Sequence, residues 1–298
     1  MINKDIKVRK AVIPVAGLGT RVLPASKAIP KEMMPVVDKP VIQYVVEEAV
    51  AAGIKEIILV TRSGKSSIED HFDKHYELEA ELAKKGKTAL LVQIQEIVPD
   101  DVTIVSIRQP EAKGLGHAVH CAATMINDEP FAVMLPDVLV KNEVTQANDL
   151  AGMLEKFETR QAAQIMVGEV PFDKVHLYGV VDCHQVMPKA GESVDIKGMV
   201  EKPAIDKAPS NLAVIGRYIL PAEVMGFLAE GKPGAGGEIQ LTDAIDGLLA
   251  KQPVEAYKMI GNTYDCGEKL GYLKANIAYG LLHGETAEGL KQFIAQLD

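Results

Sequence analysis

The sequence predicts an α/β protein built on an open, mostly parallel, Rossmann-like sheet with helices on both faces. Two observations carry this. Short, wholly apolar runs alternate with longer amphipathic stretches over the first 160 residues, the pattern of strands connected by crossover helices. The composition is that of a packed domain, with 47% hydrophobic and 24% charged residues. A chain of 298 residues can bury roughly three quarters of its unfolded surface and needs no disulfide or metal staple.

The elements follow in order. AVIPVA (11–16) is a short apolar run ending in a glycine turn, and reads as a buried strand. VIQYVVEEAVAAG (41–53) spaces its apolar residues as a helix does and ends on glycine; the strand-like KEIILVT (55–61) follows. One long polar helix is expected through IEDHFDKHYELEAELAKK, stopping at Gly86. TIVSI (103–107), a helix from about His117 and the strand FAVMLP (131–136) complete the first half. Beyond about residue 160 the strands AAQIMVGEV, YGVVDC, IKGMVEKP and LAVIGRYIL have fewer helices between them. Helices return at EIQLTDAIDGLLAK, at LGYLKANIAYGLL and at the C-terminus. With no Ser/Gly linker, repeat or low-complexity tract, residues 1–298 are expected to form one domain, elaborated in its second half.

Charge narrows the function classes. The 32 basic and 41 acidic side chains give −9, the opposite of what a nucleic-acid binder carries. Residues 1–31 hold Lys4, Lys7, Arg9, Lys10, Arg21, Lys27 and Lys31 against Asp5 alone, a local +6 that leaves −15 on the remainder. A basic patch on an acidic protein suits a small polyanion. Lys4 to Lys10 are expected to form a solvated arm. The opening imitates a signal peptide, but Pro14, Gly17 and Gly19 break the apolar run and Arg21 ends it. No stretch approaches the roughly 18 apolar residues of a membrane helix. Three cysteines without a C-x-x-C pair fit a reducing cytosol, so a cytoplasmic protein is expected.

Ligands of open α/β sheets bind beyond the carboxyl ends of the strands. The first strand runs into Ala16-Gly17-Leu18-Gly19-Thr20-Arg21, where glycines let several N–H groups converge on a phosphate. Val22 stands where a dinucleotide fingerprint needs its third glycine, and the P-loop pattern is also missing. G-x-G alone would equally serve as a plain turn. Prolines 24, 30, 35 and 40 then forbid a regular helix or central strand, so Lys27 and Lys31 sit on a stiffened loop close after the glycines. A cradle, an arginine and lysines together suit a polyphosphate, with Arg binding bidentately and Lys acting as a point charge.

AGLGTRVLPASKAIPKEMMPVVDKPVIQYVVEEA resembles the opening of the bacterial UTP–glucose-1-phosphate uridylyltransferases, a family of sugar nucleotidyltransferases. The resemblance continues in order through QPEAKGLGHAV (109–119), LPD (135–137), YGVVD (178–182), MVEKP (199–203), GEIQLTDAI (237–245) and YDCGEKLGYLKA (264–275). It implies the nucleotide-diphospho-sugar transferase fold, with a nucleotide-binding half to about residue 160 and a sugar-binding and C-terminal helical half from about 161. It also implies a homodimer or homotetramer with UTP and glucose 1-phosphate as substrates. Ala16, Gly17, Gly19, Thr20 and Arg21 would then wrap the UTP phosphates, with Lys31 reaching the same group. Gln109 and Gly114 would read the uracil edge. Asp137 and Asp265 would hold Mg²⁺, the expected cofactor. Gly179, Glu201 and Lys202 would receive the sugar phosphate, Glu201 on sugar hydroxyls and Lys202 on the phosphate. Arg21, Lys31 and Lys202 would be the catalytic cations.

Taken alone, Asp137 after FAVMLP would begin a turn, and Glu201-Lys202 before Pro203 would be an exposed edge pair. Strand alternation also points those two side chains to opposite faces unless a bulge re-aims one. His71 and His75 lack the H-E-x-x-H glutamate, because Phe72 occupies its place, and read as a surface helix. His117, His120 and Cys121 lack a fourth ligand and read as a packed helix. Glu238 to Asp246 reads as a helix with a polar face. Three other readings stay open: another nucleotide pair such as dTTP with glucose 1-phosphate, a non-catalytic regulatory relative, and a dinucleotide oxidoreductase.

Overall fold

A computed structural model of the chain describes residues 6–142 and 148–297. Its strands in the first half are β1 (Lys10–Pro14), the two-residue β2 (Pro35–Val36) and β3 (Lys39–Pro40), β4 (Glu56–Thr61), β5 (Thr103–Arg108), β6 (Phe131–Met134) and β7 (Val138–Lys141). The second half adds β8 (Ala163–Glu169), β9 (Gly179–Asp182), β10 (Ser193–Asp195), β11 (Gly198–Glu201), β12 (Leu212–Leu220), β13 (Val254–Lys258) and β14 (Asn262–Asp265). Helices α1 (Val41–Ala51), α2 (Ser66–Phe72), α3 (Tyr76–Lys84), α4 (Thr88–Gln95), α5 (Leu115–Cys121) and α6 (Ala123–Ile126) lie in the first half. They are followed by α7 (Asp149–Arg160), α8 (Val224–Ala229), α9 (Leu241–Leu249), α10 (Lys269–Gly280) and α11 (Ala287–Ile294).

One ten-stranded sheet runs through both halves in the order β10-β13-β8-β12-β6-β1-β4-β5, with β9 paired to β12 and β11 to β9. β5, β4, β1 and β6 are mutually parallel, as are β8 and β13. β12 lies antiparallel to β6, β8 and β9, so seven of the ten strands point one way and only β10, β11 and β12 oppose them. The sheet is therefore mixed but mostly parallel. In its first half the chain adds β4 and β5 on one side of β1, then crosses to place β6 on the other. That reversal opens a crevice beyond the carboxyl ends of β1 and β6.

The alternation of side chains sorts the core into two layers. Ala11, Ile13, Ile57, Leu59, Ala132 and Met134 face one layer, packed under Val45 and Ala49 of α1, Met153 and Phe157 of α7 and Ala275 of α10. Val12, Ile58, Val60, Phe131 and Val133 face the other, under Val119 of α5, Leu228 of α8 and Ile245 and Leu248 of α9. Strands buried on both faces read as continuous apolar runs, which is why AVIPVA and FAVMLP carry no polar residue.

The expected long helix over 68–85 is two helices. Asp73 turns extended at the end of α2, with its carboxylate accepting from the Lys74 N–H at 2.8 Å. His75 Nδ1 then accepts from the Leu78 N–H, and Glu77 and Glu79 favour a new N-terminus in the first turn of α3. The basic opening also departs from a solvated arm. Lys4 and Asp5 lie outside the described residues, but Lys10 is buried in β1 and its ammonium donates to Met125 O at 3.0 Å and Glu129 at 2.8 Å. The helix expected from Glu238 begins at Leu241, because Ile239 is held extended by bonds to Lys113 O and from Gly116 N. Among the described residues no helix is long and apolar enough to cross a membrane.

Candidate active site

The first strand hands over to a loop that its neighbours hold open. Val15 N–H donates to Val60 O at 2.9 Å, after which Ala16, Gly17 and Leu18 leave the sheet at the mouth of the crevice. Gly19 adopts the left-handed region at φ 67°, and a Cβ there would stand 3.1 Å from Ser26 Cβ and 3.3 Å from Lys31 Cβ, so glycine is required on both counts. Ser26 Oγ donates to Gly19 O at 2.7 Å and folds the proline-stiffened loop back over the glycines. Thr20–Val22, Ala25–Lys27 and Lys31–Met33 are short 3-10 turns, as the four prolines dictate. Thr20 and Lys27 stay exposed, whereas the Lys31 ammonium reaches within 3.9 Å of where a Gly17 Cβ would sit.

Both predicted metal carboxylates converge on the same place. Asp137 follows β6, and Asp265 ends β14, which pairs with β7 so that Asp265 lies opposite Val138. Cys266 N–H donates to Asp137 O at 2.7 Å and Gly267 N–H to Asp265 Oδ1 at 2.8 Å. Lys31 Nζ lies 2.5 Å from Asp137 Oδ2. Arg21 spans the pair, with Nη1 3.0 Å from Asp265 Oδ2 and Nη2 3.3 Å from Asp137 Oδ2. Burial works against the charge on Asp137, but Lys31 and then Arg21 outweigh it and hold the carboxyl below its usual range. Asp265 goes the other way: burial and the Asp137 charge raise it more than Arg21 lowers it.

The other predicted residues flank this cluster. Gln109 follows β5 and lines a cavity of about 410 Å³ with Ala16, Arg62, Ser63, Arg108, Pro110 and Ala112. Its Nε2 donates to Gly114 O at 3.2 Å and lies 3.0 Å from His117 Nδ1. Gly114 has φ +103°, and a Cβ there would meet Glu238 Cβ at 2.7 Å. On the far side Gly179 pairs with Glu201 across β9 and β11, and a Cβ at Gly179 would stand 3.1 Å from Glu201 Oε2. The strand-alternation conflict resolves at Lys202. It leaves the strand with φ 48°, a left-handed residue that turns its ammonium back to 3.6 Å from Glu201 Oε1.

Residues 10–280 match the nucleotidyl transferase family. The chain is 56% identical over 295 residues to the Escherichia coli K12 UTP–glucose-1-phosphate uridylyltransferase, covering 98% of this chain and 97% of that protein. The UTP-bound enzyme from Acinetobacter baumannii superposes with a TM-score of 0.92 at 54% identity, covering 98% of this chain and all of that one. A UDP-glucose pyrophosphorylase complexed with UDP-glucose superposes at 0.83 with 40% identity, over 93% of this chain and all of that one. The chain belongs to the UTP–glucose-1-phosphate uridylyltransferase family.

The donor set in this uridylyltransferase-family chain suits a hard cation. Asp137 and Asp265 offer carboxylate oxygens to one spot, and a Cβ at Gly267 would stand 2.4 Å from Asp137 Oδ2 and 2.8 Å from Asp265 Oδ1. Glycine thus keeps the space between them clear. Mg²⁺ in phosphate sites takes one or two protein carboxylates and completes its shell from substrate and water. Among the described residues no group of three or more His, Cys, Asp or Glu could hold a metal, the His71 and His117 neighbourhoods included. His71 instead bonds Gln43 at 2.9 Å.

Several residues of the site had no local signal. Gly267 looks like any loop glycine. Tyr178 O accepts from Lys202 N–H at 2.9 Å, and the tyrosine lies within reach of the Asp265 and Arg21 charges, joining the two ends of the cluster. Thr242 belongs to a stretch expected to show a polar face, yet it is buried beside Gly179, and its hydroxyl has no hydrogen-bond partner among the described residues. The three- to four-residue spacing of Leu241, Ala244, Ile245 and Leu248 places position 242 beside the buried face of α9 and could have flagged it.

Proposed function

We propose that the chain joins UTP and glucose 1-phosphate into UDP-glucose and pyrophosphate. A phosphate monoester has its second pKa at about 6, so the attacking oxygen is already largely ionised at neutral pH and needs no general base. The obstacles are repulsion between two anions and charge building on the leaving group, which positioning and fixed charges relieve. Ala16, Gly17, Gly19 and Thr20 would direct backbone donors at the triphosphate, with Gln109 and Gly114 at the base. Arg21 and Lys31 would exchange their aspartate partners for the β- and γ-phosphates and stabilise the departing pyrophosphate. Arg21 is 58% exposed on its side chain and free to make that move. Lys202 would hold the sugar phosphate in line, with Glu201 and the backbone at Gly179 on sugar hydroxyls. Mg²⁺ held by Asp137 and Asp265 would neutralise triphosphate charge and fix its oxygens when bound.

The observation that carries this reading is the meeting of Arg21, Lys31, Asp137 and Asp265 beyond the ends of β1 and β6. Pyrophosphate release from UTP and glucose 1-phosphate, with and without Mg²⁺, tests it, each nucleoside triphosphate and a panel of sugar 1-phosphates being run in parallel. Rapid Mg²⁺-dependent release confined to that pair is expected. Turnover in Arg21→Ala and Asp137→Ala should fall by about 10²–10³ with the fold intact. Faster release with dTTP would change the substrate, and binding without release would make the chain a regulator. The same proposal includes a cytoplasmic homo-oligomer. It is supported by three free cysteines and by the exposed Leu270, Leu273, Ile277 and Phe293 on α10 and α11. Light scattering of the purified chain measures its mass.

A further inference from the structure

Gln109 offers an amide whose two ends read opposite chemistry, and a glycine carbonyl and a histidine together leave only one end for a ligand. A primary amide carries two donors on Nε2 and an acceptor on Oε1. Here Nε2 is engaged twice, by Gly114 O at 3.2 Å and by His117 Nδ1 at 3.0 Å. A backbone carbonyl only accepts, so Nε2 and not Oε1 must face Gly114. The second Nε2 hydrogen then points to His117 Nδ1, which must be the unprotonated ring nitrogen. With both hydrogens committed, Oε1 alone remains for a ligand.

The clamp is built rather than incidental. Gly114 presents its carbonyl because it adopts φ +103°, and the same carbonyl accepts from Ala118 N–H at 3.1 Å as the first bond of α5. A Cβ at Gly114 would collide with Ile239 O at 2.8 Å, so the backbone can take this path only as glycine. His117 stands on the first turn of the same helix, half-buried. Gln109 lines the cavity that Ala16 of the phosphate loop also lines, which is where a base would lie if its phosphates sat on that loop.

We infer that His117, as the Nε2–H tautomer, is a positioning residue for base selection: it takes the second Nε2 hydrogen that Gly114 O leaves, so that Gln109 offers a base only its acceptor, which admits bases with an N3–H donor and rejects cytosine. Uracil and thymine both carry N3–H between two carbonyls, whereas N3 of cytosine is itself an acceptor. An acceptor facing an acceptor leaves both unpaired in a half-buried pocket, which costs about 10- to 100-fold. The clamp cannot separate UTP from dTTP, so any such preference must come from the ribose or the 5-position. This inference rests on Gln109 facing the base, as in the proposed function.

The experiment compares kcat/KM for UTP, dTTP and CTP in the wild-type chain, His117→Ala and Gln109→Leu, with the KM for glucose 1-phosphate and a thermal melt for each. In folded His117→Ala the amide stays anchored on Gly114 O, but its second Nε2 hydrogen is released and can donate to cytosine N3, so the UTP/CTP ratio should fall about tenfold or more. dTTP should track UTP, and the sugar-phosphate KM should hold. Nitrogen-15 spectra of histidine-labelled wild-type protein should show the Nε2–H tautomer at His117, a readout that needs no variant to fold. An Nδ1–H tautomer overturns the inference. So does an unchanged ratio in His117→Ala beside a collapsed one in Gln109→Leu. An unchanged ratio in Gln109→Leu overturns the base contact itself, and the inference with it.

Discussion

Arg217 is the sharpest test of how the fold holds Asp137 in place. It is fully buried in β12, where a register shift between Val214 and Tyr218 and the left-handed Gly216 (φ +71°) turn it toward the crevice. Its Nε and Nη2 donate to Glu48 of α1 at 3.0 and 2.7 Å. Nη1 and Nη2 also donate to Leu135 O at 3.1 Å and Val138 O at 2.7 Å, the carbonyls on either side of Pro136-Asp137. One guanidinium therefore ties α1 to the loop that carries a proposed metal ligand. Arg217→Leu strands the Glu48 carboxylate, whose side chain is only 12% exposed. Breaking such a pair from one side costs ~3–5 kcal/mol, a large part of the ~5–15 kcal/mol that keeps a domain folded. Melting should fall by roughly 6–20 °C.

Arg217→Leu with Glu48→Leu removes both charges, and stability should return to within about 1–2 kcal/mol of wild type. Turnover should not return. Leu135 and Val138 still lack their donor, and a loop displaced by about 1 Å costs on the order of 100-fold. Urea unfolding of the two single variants and the double variant gives the coupling energy; pyrophosphate release gives the rate. Additive single losses, or a stable double variant with full turnover, would refute the clamp.

Three further outcomes are expected. Gly267→Ala should keep the fold by circular dichroism but lose about two powers of ten in turnover, because its Cβ would stand 2.6 Å from Arg21 Nη2 as well as against both aspartates. His71 is held below the ordinary 6.5 by burial, which the Glu47 charge only partly opposes. Its neutral form is therefore favoured on folding, and the stability this gives is complete above 6.5 and lost as pH falls through the lower folded value. His71→Phe should flatten the stability–pH curve in that window, and an unchanged slope in urea titrations would count against it. Burial and then Asp182 push the Cys183 thiol up to about 11, whereas the Cys121 thiol, raised by burial alone, is half-exposed. Iodoacetamide near neutral pH should therefore label Cys121 before Cys183 in a peptide map of native protein.

The sheet was legible because its strands are buried on both faces, and such strands leave unbroken apolar runs whatever their neighbours. The phosphate loop was legible for a similar reason: its glycines, prolines and cations are local punctuation, and Gly19 does adopt the backbone that only glycine takes easily. Asp137 and Asp265 are a different case. What joins them is the pairing of β7 with β14, two four-residue strands distant in the chain, and no local pattern encodes a partner that far away. The family resemblance supplied that pair where periodicity could not. Arg217 is hidden more deeply still. In LAVIGRYIL it is the one charged residue of an apolar strand, and nothing beside it in the sequence says what it pairs with. Only the bulge at Gly216 and a glutamate on α1 make it an interior residue. The break between α2 and α3 is hidden for the opposite reason: every residue from Ile68 to Lys85 tolerates a helix, and the interruption is made by two local side-chain bonds, at Asp73 and His75, that compete with the backbone. Sites assembled from distant strands are thus read from sequence only as far as each residue's own chemistry is unusual for its place. At Lys202 that limit is plain: the EKP triplet announces nothing, and it is the left-handed turn at φ 48° that puts the lysine and Glu201 on one side of the strand.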